Sequence, residues 1–341
     1  MTSRVNTVMF TSPQKALYET VMSHFVSDGI ASPNIEFVLS HVRFLKQVAG
    51  KDKARGISAE DADKLDVAIC GELSKMASQK LPSSDTAYHQ LAAWAGSINR
   101  AFPVEFFTTN YDLLLEEALE ANRVPFFDGF VGSNSSFLDL QAMEGDALPA
   151  RWARLWKIHG SLNWGEDKNG NIYRGAIPGS NRRLIYPSHL KYDESRRMPY
   201  LAMLDRLRAF LKQPASVLIV SGFSFGDENL NEIIIQGLQG NATAAVFALM
   251  YGPISSYPKL VELARYRANL SVLAADQAVI GTRLGEWTKG KSPSFGQNSL
   301  AVQWIDDPAN PGTNKAIMTL VDFRALAEFA ADLVGQQKIG M

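Results

Sequence analysis

Apolar residues recur at helical spacing through the first hundred positions of the chain. The repeat of three or four residues predicts amphipathic helices in the segments LYETVMSHFV, EFVLSHVRFLKQVA, LDVAICGELSKMA and TAYHQLAAWAGSINRA. A serine followed by an acidic residue within one turn is typical of a helix start. This pattern occurs at residues 32–36 and 58–61, where Ser58 is the expected cap.

From Val104 onward, short apolar runs alternate with helical segments. The runs predict strands in VEFFTT, ARLWKIHG, RRLIYP, ASVLIVSG, TAAVFALMYG, NLSVLAAD and AVQWID. Strands that alternate with helices favour an α/β fold with a doubly wound, mostly parallel, Rossmann-like sheet. We expect a mainly helical part over residues 1–100 and an α/β core over 101–341, together forming one integrated domain. The segments 128–149 and 165–181 are expected to be loops over a site.

Composition narrows the class of protein. Of 341 residues, 46% are hydrophobic and 20% are charged, which is ordinary for a soluble globular protein. The net charge of −1 argues against direct nucleic-acid binding through bulk charge. The longest apolar run, 242–251, is far shorter than the ~20 residues that span a bilayer. No signal peptide is recognisable, so a cytoplasmic protein without membrane association is expected.

Cysteine and histidine argue against a metal site. Cys70 is the single cysteine and lies in a helical pattern, so a buried structural thiol is expected and a zinc site with four cysteines is excluded. The five histidines are scattered and include no pair at zinc-finger spacing. The sequence therefore predicts no bound metal.

Polar clusters follow three of the predicted strands, at 108–112, 157–161 and 221–227. Ligands of open parallel sheets bind beyond the carboxyl ends of the strands. Structural roles are the alternative for each residue taken alone: Asn110 as a helix cap, Asp112 as a favourable charge at the same helix start, His159 as a structural histidine, Gly222 and Gly226 as turn formers, and Asp227 as the cap of the next helix. Because all three clusters fall at strand ends of the predicted sheet, a shared site is favoured.

Together these segments resemble the sirtuin-like superfamily, in its prokaryotic branch of NAD-hydrolysing domains of antiphage defence. The resemblance rests on FFTTNYDLLLEEAL, LWKIHGSLNW, VLIVSGFSFGDENLNEII and NLSVLAADQAVIG, and it covers roughly residues 32–287. It implies NAD as the substrate.

The resemblance also implies roles for individual residues. Asn110 would orient the nicotinamide ribose and a water molecule, Asp112 would contact the carboxamide, and His159 would be the general base. The implied dinucleotide contacts are Thr108, Thr109, Gly222, Phe223, Ser224, Asp227 and, near the adenine end, Asp276. A histidine titrates near neutral pH and suits the role of a base.

The chain departs from the family in two ways. The zinc module with four cysteines of protein-deacylating sirtuins is absent, which favours hydrolysis of the dinucleotide over deacylation. The opening strand with a Gly-Ala-Gly turn, which would hold the pyrophosphate, is not found before Asn34, and VNTVMFTSPQKALY contains no glycine. A truncated start or natural loss of this segment would account for it. The segment Arg55–Glu60 resembles half of that turn, but helix capping by Ser58 is favoured.

Two functions follow from the resemblance. The first is an NAD glycohydrolase that gives nicotinamide and ADP-ribose as an effector of bacterial antiphage defence. The second is a non-catalytic or impaired NAD- or nucleotide-binding subunit that acts through a partner protein. The resemblance leaves open a homo-oligomer and an ATPase or Argonaute-type defence partner. Lys168, Arg182 and Arg183 are candidates to meet the pyrophosphate charge.

Overall fold

The computed structural model describes residues 11–30, 33, 35–83, 85–97, 100–133, 136–145, 148–167, 169, 171–175, 182–184, 199–287, 301–306, 312 and 314–334, with the backbone alone at 36, 166 and 182–184. The helices in this part of the chain are α1 (Ser12–Ser27), α2 (Ile35–Ala49), α3 (Ala59–Ala77), α4 (Ala87–Ser97), α5 (Leu114–Ala121), α6 (Leu140–Glu144), α7 (Tyr200–Lys212), α8 (Glu228–Gly240), α9 (Pro258–Arg265) and α10 (Phe323–Asp332).

The strands form hairpins and larger sheets. They are β1 (Lys53–Ala54), β2 (Ile57–Ser58), β3 (Glu105–Thr108), β4 (Phe126–Phe127), β5 (Phe130–Val131), β6 (Phe137–Leu138), β7 (Ala153–Lys157), β8 (Gly160–Glu166), β9 (Ile172–Arg174), β10 (Arg182–Leu184), β11 (Val217–Ser221), β12 (Ala245–Met250), β13 (Leu270–Ala274), β14 (Gln277–Ile280), β15 (Arg283–Glu286), β16 (Val302–Asp306) and β17 (Asn314–Met318).

The helices predicted in the first hundred residues are confirmed. Helices α1 to α3 share a hydrophobic cluster that includes Val21, Leu39 and Leu65, each fully buried. Ser58 caps α3, because its Oγ accepts a hydrogen bond from the Asp61 N–H at 3.1 Å. The capping interpretation of this segment is therefore confirmed. The other predicted start includes Ser32, which lies outside the described residues.

Helix α4 belongs to a different packing unit from α1 to α3. It packs against α5 and against α10, and the ring centroids of Tyr88 and Phe323 are 5.2 Å apart. Ala92 of α4 joins a cluster with Leu115 of α5 and Leu155 of β7. One layer of helices thus covers one face of β7, while the division into domains stays a prediction.

Strands β3, β7 and β4 form a parallel sheet in the order β3-β7-β4. All five residues of β7 are buried, which is typical of a central strand covered on both faces. Leu155 points toward α5, whereas Trp156 packs in a cluster with Phe127 and Met203 on the other face. Thr108 pairs with Lys157, so the carboxyl ends of β3 and β7 are level.

A second sheet has the order β11-β12-β13-β14-β15, and its first three strands are parallel. Helices α7 and α8 pack on it through a cluster that contains Leu211, Ile233 and Val246. Phe107 of β3 contacts this cluster as well as that of the first sheet. The two sheets therefore share apolar packing.

The described strands differ from the predicted arrangement in their pairing. Hydrogen bonding places the parallel strands in two sheets, with β3 and β11 at their edges, so the single doubly wound sheet stays a prediction. Val217 and Ile219 of β11 are 50% and 55% exposed. Strand β10 pairs antiparallel with β8, and β16 pairs antiparallel with β17. These runs therefore lie outside the parallel sheets.

The prediction of a plain loop over residues 128–149 is wrong. Strands β5 and β6 pair as an antiparallel ladder, and helix α6 follows them. A residue outside the segment also holds it, since Arg174 Nη1 donates to Asp128 Oδ2 at 2.7 Å.

None of the described helices has the length and apolar character that a membrane span requires.

Candidate active site

The predicted site begins in the turn that follows β3, residues 109–113, which we name the Asn110 turn. The Asn110 N–H donates to Thr108 Oγ1 at 3.1 Å, which tightens the turn as it leaves the strand. The Thr108 carbonyl accepts from the Ile158 N–H and the Tyr111 carbonyl from the Leu162 N–H, both at 2.9 Å. The Asn110 side chain is exposed, and it makes no hydrogen bond with any described residue.

Asp112 performs the structural role weighed for it. Its Oδ1 accepts a hydrogen bond from the Leu114 N–H at 3.2 Å, at the first residue of α5. This bond satisfies one of the donors left open at a helix start. The helix begins three residues later than expected, so Asp112, rather than Asn110, bonds its first turn. A role of Asp112 in ligand binding stays a prediction.

His159 and Asp227 meet directly. The imidazole Nε2 lies 3.1 Å from Asp227 Oδ2, and the side chains are 9% and 7% exposed. The other carboxylate oxygen accepts from the Asn229 and Leu230 N–H groups, so Asp227 is the N-cap of α8. The carboxylate is therefore fixed by the helix while it holds the imidazole. This contact joins the two sheets at their carboxyl ends.

Successive residues of the turn between β11 and α8 are alternately exposed to solvent and packed against the core. Gly222, Ser224 and Gly226 are exposed, whereas Phe223 and Phe225 pack against the hydrophobic cluster with their ring centroids 5.0 Å apart. Gly222 has a φ of +72°, a conformation that glycine adopts without strain. Small residues thus leave the backbone open along one side of the turn.

Asp276 connects the ends of two strands of the second sheet. It lies between β13 and β14, and its Oδ1 accepts from the Ile254 N–H at 2.8 Å. Ile254 belongs to the segment after β12. The predicted contact with the adenine end is untested, and the described geometry gives Asp276 a structural role.

Sequence reasoning missed two residues at this edge. Lys157 is 2% exposed and is the last residue of β7; it belongs to the predicted polar cluster 157–161, but no pattern in the sequence assigns it a role. Tyr251 follows β12 and is 72% exposed, and its carbonyl accepts from the Tyr257 hydroxyl at 2.6 Å. An exposed aromatic ring at the carboxyl end of a strand is a surface on which a base can stack.

A cavity of about 190 Å³ lies at the opposite edge of the first sheet, near the amino ends of β3 and β7. Its lining includes Arg100 and Arg151 and contains neither histidine nor a carboxylate. The Arg100 guanidinium donates to the carbonyls of Trp94 and Ala95. This cavity therefore lacks the acid–base pair that the carboxyl edge has.

In the part of the chain that the structure describes, neither a metal-binding group nor a reactive thiol is observed. No group of three or more His, Cys, Asp or Glu side chains is placed there to hold a metal ion, and the absence of zinc stays a prediction. Burial raises the pKa of the Cys70 thiol, as expected for a structural cysteine. Lys168 and the side chains of Arg182 and Arg183, predicted to meet the pyrophosphate, lie outside the described residues.

Residues 104–270 match the family model of the SIR2-like domain. The match runs from the residue before β3 to the first residue of β13. It contains every predicted site residue except Asp276. No curated protein matches the chain. The match supports the resemblance to the sirtuin-like superfamily and an NAD-related activity in general.

Proposed function

We propose that the protein is an NAD glycohydrolase, which uses water to cleave the nicotinamide–ribose bond and releases nicotinamide and ADP-ribose. The observation that carries the proposal is the contact between His159 and Asp227 at the edge where Asn110 is exposed. Such a hydrolysis needs a base that a carboxylate holds and an exposed amide, which here lies at the end of the neighbouring strand. The SIR2-like match over residues 104–270 supports NAD as the ligand.

The reaction breaks the bond between ribose C1′ and the pyridine nitrogen. The electron pair leaves with nicotinamide and neutralises its positive ring, while oxocarbenium character develops at C1′. A water oxygen then bonds to C1′, and its proton passes to His159 and on to solvent. Because a carboxylate oxygen can only accept, we assign the Nε2–H of His159 as the donor to Asp227 and Nδ1 as the atom that takes the proton.

Asp227 is proposed to act through His159. Its carboxylate fixes the tautomer and orientation of the imidazole and stabilises the imidazolium that forms. Because Oδ1 is bonded to the start of α8, the carboxylate is already oriented before the reaction. Such preorganised charge is the usual source of transition-state stabilisation.

Asn110 and Asp112 are proposed to position the substrate. The exposed Asn110 amide can donate to a ribose hydroxyl and accept from the attacking water, which reduces the entropy cost of bringing them together. The Leu114 N–H bonds only Oδ1 of Asp112, and we assign Oδ2 to the carboxamide N–H group. Thr108 and Thr109 would line the same turn.

The turn after β11 is proposed to receive the rest of the dinucleotide. Gly222 and Ser224 are exposed and would admit the phosphate and ribose path. Because the Phe223 ring packs inward, its main chain is the part assigned to ligand contact. Asp276 is assigned to the adenine end of the dinucleotide. It would act there indirectly, because it holds the segment after β12 through its hydrogen bond with the Ile254 N–H.

The deciding experiment is incubation of the purified protein with NAD, with nicotinamide and ADP-ribose separated by chromatography. Equimolar release of both, lost in His159→Ala, supports the proposal. Calorimetric NAD binding without release would support the alternative of a non-catalytic NAD-binding subunit. Neither binding nor release would overturn both functions.

We further propose that this activity depletes cytoplasmic NAD in bacterial antiphage defence. The support is the resemblance to the defence branch of the superfamily. Cells that express the wild type or His159→Ala would be challenged with phage, and their NAD content followed. NAD loss and protection with the wild type alone are expected. A homo-oligomer and an ATPase or Argonaute-type partner are the assemblies to seek by copurification.

A further inference from the structure

Lys157 places a charged amine inside the protein directly beneath the Asn110 turn. Its side chain is 2% exposed, and Nζ lies 3.1 Å from Glu116 Oε1 on α5. The same ammonium donates a hydrogen bond to the main-chain carbonyl of Asp112. Burying an ammonium is costly unless it is paired and hydrogen-bonded. Both conditions are met by groups on either side of the start of α5.

The neighbouring residue on the same face of β7 is apolar. The residue two positions earlier on the same face of β7, Leu155, is fully buried and packs against Leu115 and Leu119 of α5. An apolar residue at position 157 would continue this packing without the cost of a buried charge. The stability of the packing between β7 and α5 therefore does not by itself explain why this position carries a charged side chain.

Glu116 is the buried carboxylate that pairs with Lys157. It is 9% exposed, and among the described residues its Oε2 has no hydrogen-bond partner, whereas its Oε1 pairs with Lys157. Burial raises the pKa of Glu116, and the Lys157 ammonium opposes that rise. Tyr88 of α4 also lies near, and burial together with the charges of Asp112 and Glu116 raises its pKa to about 12. Its phenol is therefore neutral beside the pair.

Lys157 completes a set of bonds to the main chain of the turn. The segment that carries His159 already bonds the turn at the Thr108 carbonyl through Ile158 and at the Tyr111 carbonyl through Leu162. Lys157 adds the Asp112 carbonyl. The main chain is thus bonded directly before the turn, at Thr108, and within the turn, at Tyr111 and Asp112, by residues on both sides of His159.

We propose that Lys157, held by Glu116, is a positioning residue that fixes the Asn110 turn relative to His159. It acts on Asn110 and Asp112 through the main chain and does not contact the substrate. The inference rests on the proposed function for its effect on NAD cleavage, whereas its effect on the turn is independent of that function. Because Lys157 lies on β7, the buried central strand of the first sheet, the position of the turn is set by the sheet.

The test compares Lys157→Met, Lys157→Arg and Glu116→Gln with a control, Leu155→Val, which perturbs the same face of β7 without touching the turn. Hydrogen–deuterium exchange followed by mass spectrometry reports on the peptide that contains residues 109–113. Loss of a hydrogen bond to a charged group favours opening by about 10- to 100-fold. We expect exchange in this peptide to rise by that factor in Lys157→Met, less in Glu116→Gln, and least in Lys157→Arg.

Kinetics supply the second readout. In Lys157→Met we expect kcat for NAD cleavage to fall by at least about tenfold while KM changes less, because a displaced turn loses transition-state contacts. Unchanged exchange at 109–113, or an equal rise in Leu155→Val, would overturn the inference. If the wild type does not cleave NAD, the proposed function fails and the exchange data still decide the role of Lys157. If Lys157→Met does not fold, Glu116→Gln and Lys157→Arg carry the same comparison.

Discussion

The imidazole Nε2 of His159 lies 3.1 Å from the carboxylate Oδ2 of Asp227, although 68 residues separate the two in the sequence. His159 follows the last residue of β7 by two positions, and Asp227 precedes the first residue of α8 in the other packing unit. Since Oδ1 of the same carboxylate caps α8, the helix start, the acid and the imidazole form one connected unit.

The first prediction separates the two roles of Asp227. Asn is as good an N-cap as Asp, so Asp227→Asn should keep the stability of α8 while it removes the charge that orients His159. We expect kcat for NAD cleavage to fall in this variant, and by about 10²- to 10⁴-fold in His159→Ala. Steady-state kinetics and urea unfolding measure both effects. His89→Ala, a histidine on α4, is the control and should retain wild-type kcat; full activity of Asp227→Asn would contradict the assigned role.

The second prediction contrasts two residues of the Asn110 turn. Asn110 is exposed, so Asn110→Ala should change the free energy of unfolding by less than about 0.5 kcal/mol while it abolishes NAD cleavage. Asp112 bonds the start of α5, so Asp112→Ala should cost about 0.5–2 kcal/mol of stability. Urea denaturation of both variants measures the difference. Equal stability losses, or an active Asn110→Ala, would be inconsistent with this division.

The strand ends of the site could be predicted from sequence because each follows an apolar run of β-forming residues. The order Gly222, Phe223, Ser224 also indicates which side of the turn is exposed, since small residues suit the open side and an aromatic residue suits the side that packs on the core. The structural alternative for Asp227, a helix cap, is confirmed, whereas its contact with the dinucleotide stays a prediction. Local chemistry decides these features, so the sequence carries them.

Other features depend on contacts between distant segments. Nothing in the sequence near His159 points to Asp227, because the pair forms only when the ends of two sheets meet. The division into two described sheets could not be predicted, since an apolar run gives no information on which neighbour it pairs with. Lys157 belongs to the predicted cluster 157–161, but its burial could not be predicted because lysine is almost never fully buried. Its partners, Glu116 and the Asp112 carbonyl, come from an adjacent helix and turn.

The third prediction concerns acid stability. His24 Nδ1 and His41 Nε2 are 3.0 Å apart, and His24 Nε2 lies 3.0 Å from the Arg55 carbonyl. Burial lowers the pKa of both histidines; the Arg55 cation lowers them further and Asp28 opposes this, while His24 also lowers the pKa of His41. Both are therefore neutral in the folded protein at neutral pH.

The sign of the effect follows from linkage. A histidine whose pKa is lowered by folding binds protons more readily in the unfolded chain, where it titrates near 6.5. Its contribution to stability is complete above that pH and is lost as the pH falls toward the folded pKa. Urea midpoints at pH 8, 6 and 5 should fall with pH, and less steeply in His24→Gln/His41→Gln. An identical slope in the double variant would refute this source of acid sensitivity.

The fourth prediction gives opposite signs for the same substitution in two helices. A Cβ at Gly237 of α8 would lie 2.7 Å from Leu211 Cβ, and Leu211 is fully buried on α7. Gly237→Ala should therefore overpack the α7–α8 contact and destabilise the protein by about 1–3 kcal/mol. Urea unfolding measures the change.

Gly71, in the middle of α3, is the matched control. A Cβ there meets no atom within 4 Å, so Gly71→Ala should stabilise the protein by about 0.5–1 kcal/mol through the higher helix propensity of alanine. Because Asp227, which holds His159, is the N-cap of α8, Gly237→Ala should also lower kcat, whereas Gly71→Ala should not. Stabilisation by Gly237→Ala would mean that α7 and α8 do not pack as closely as these distances require.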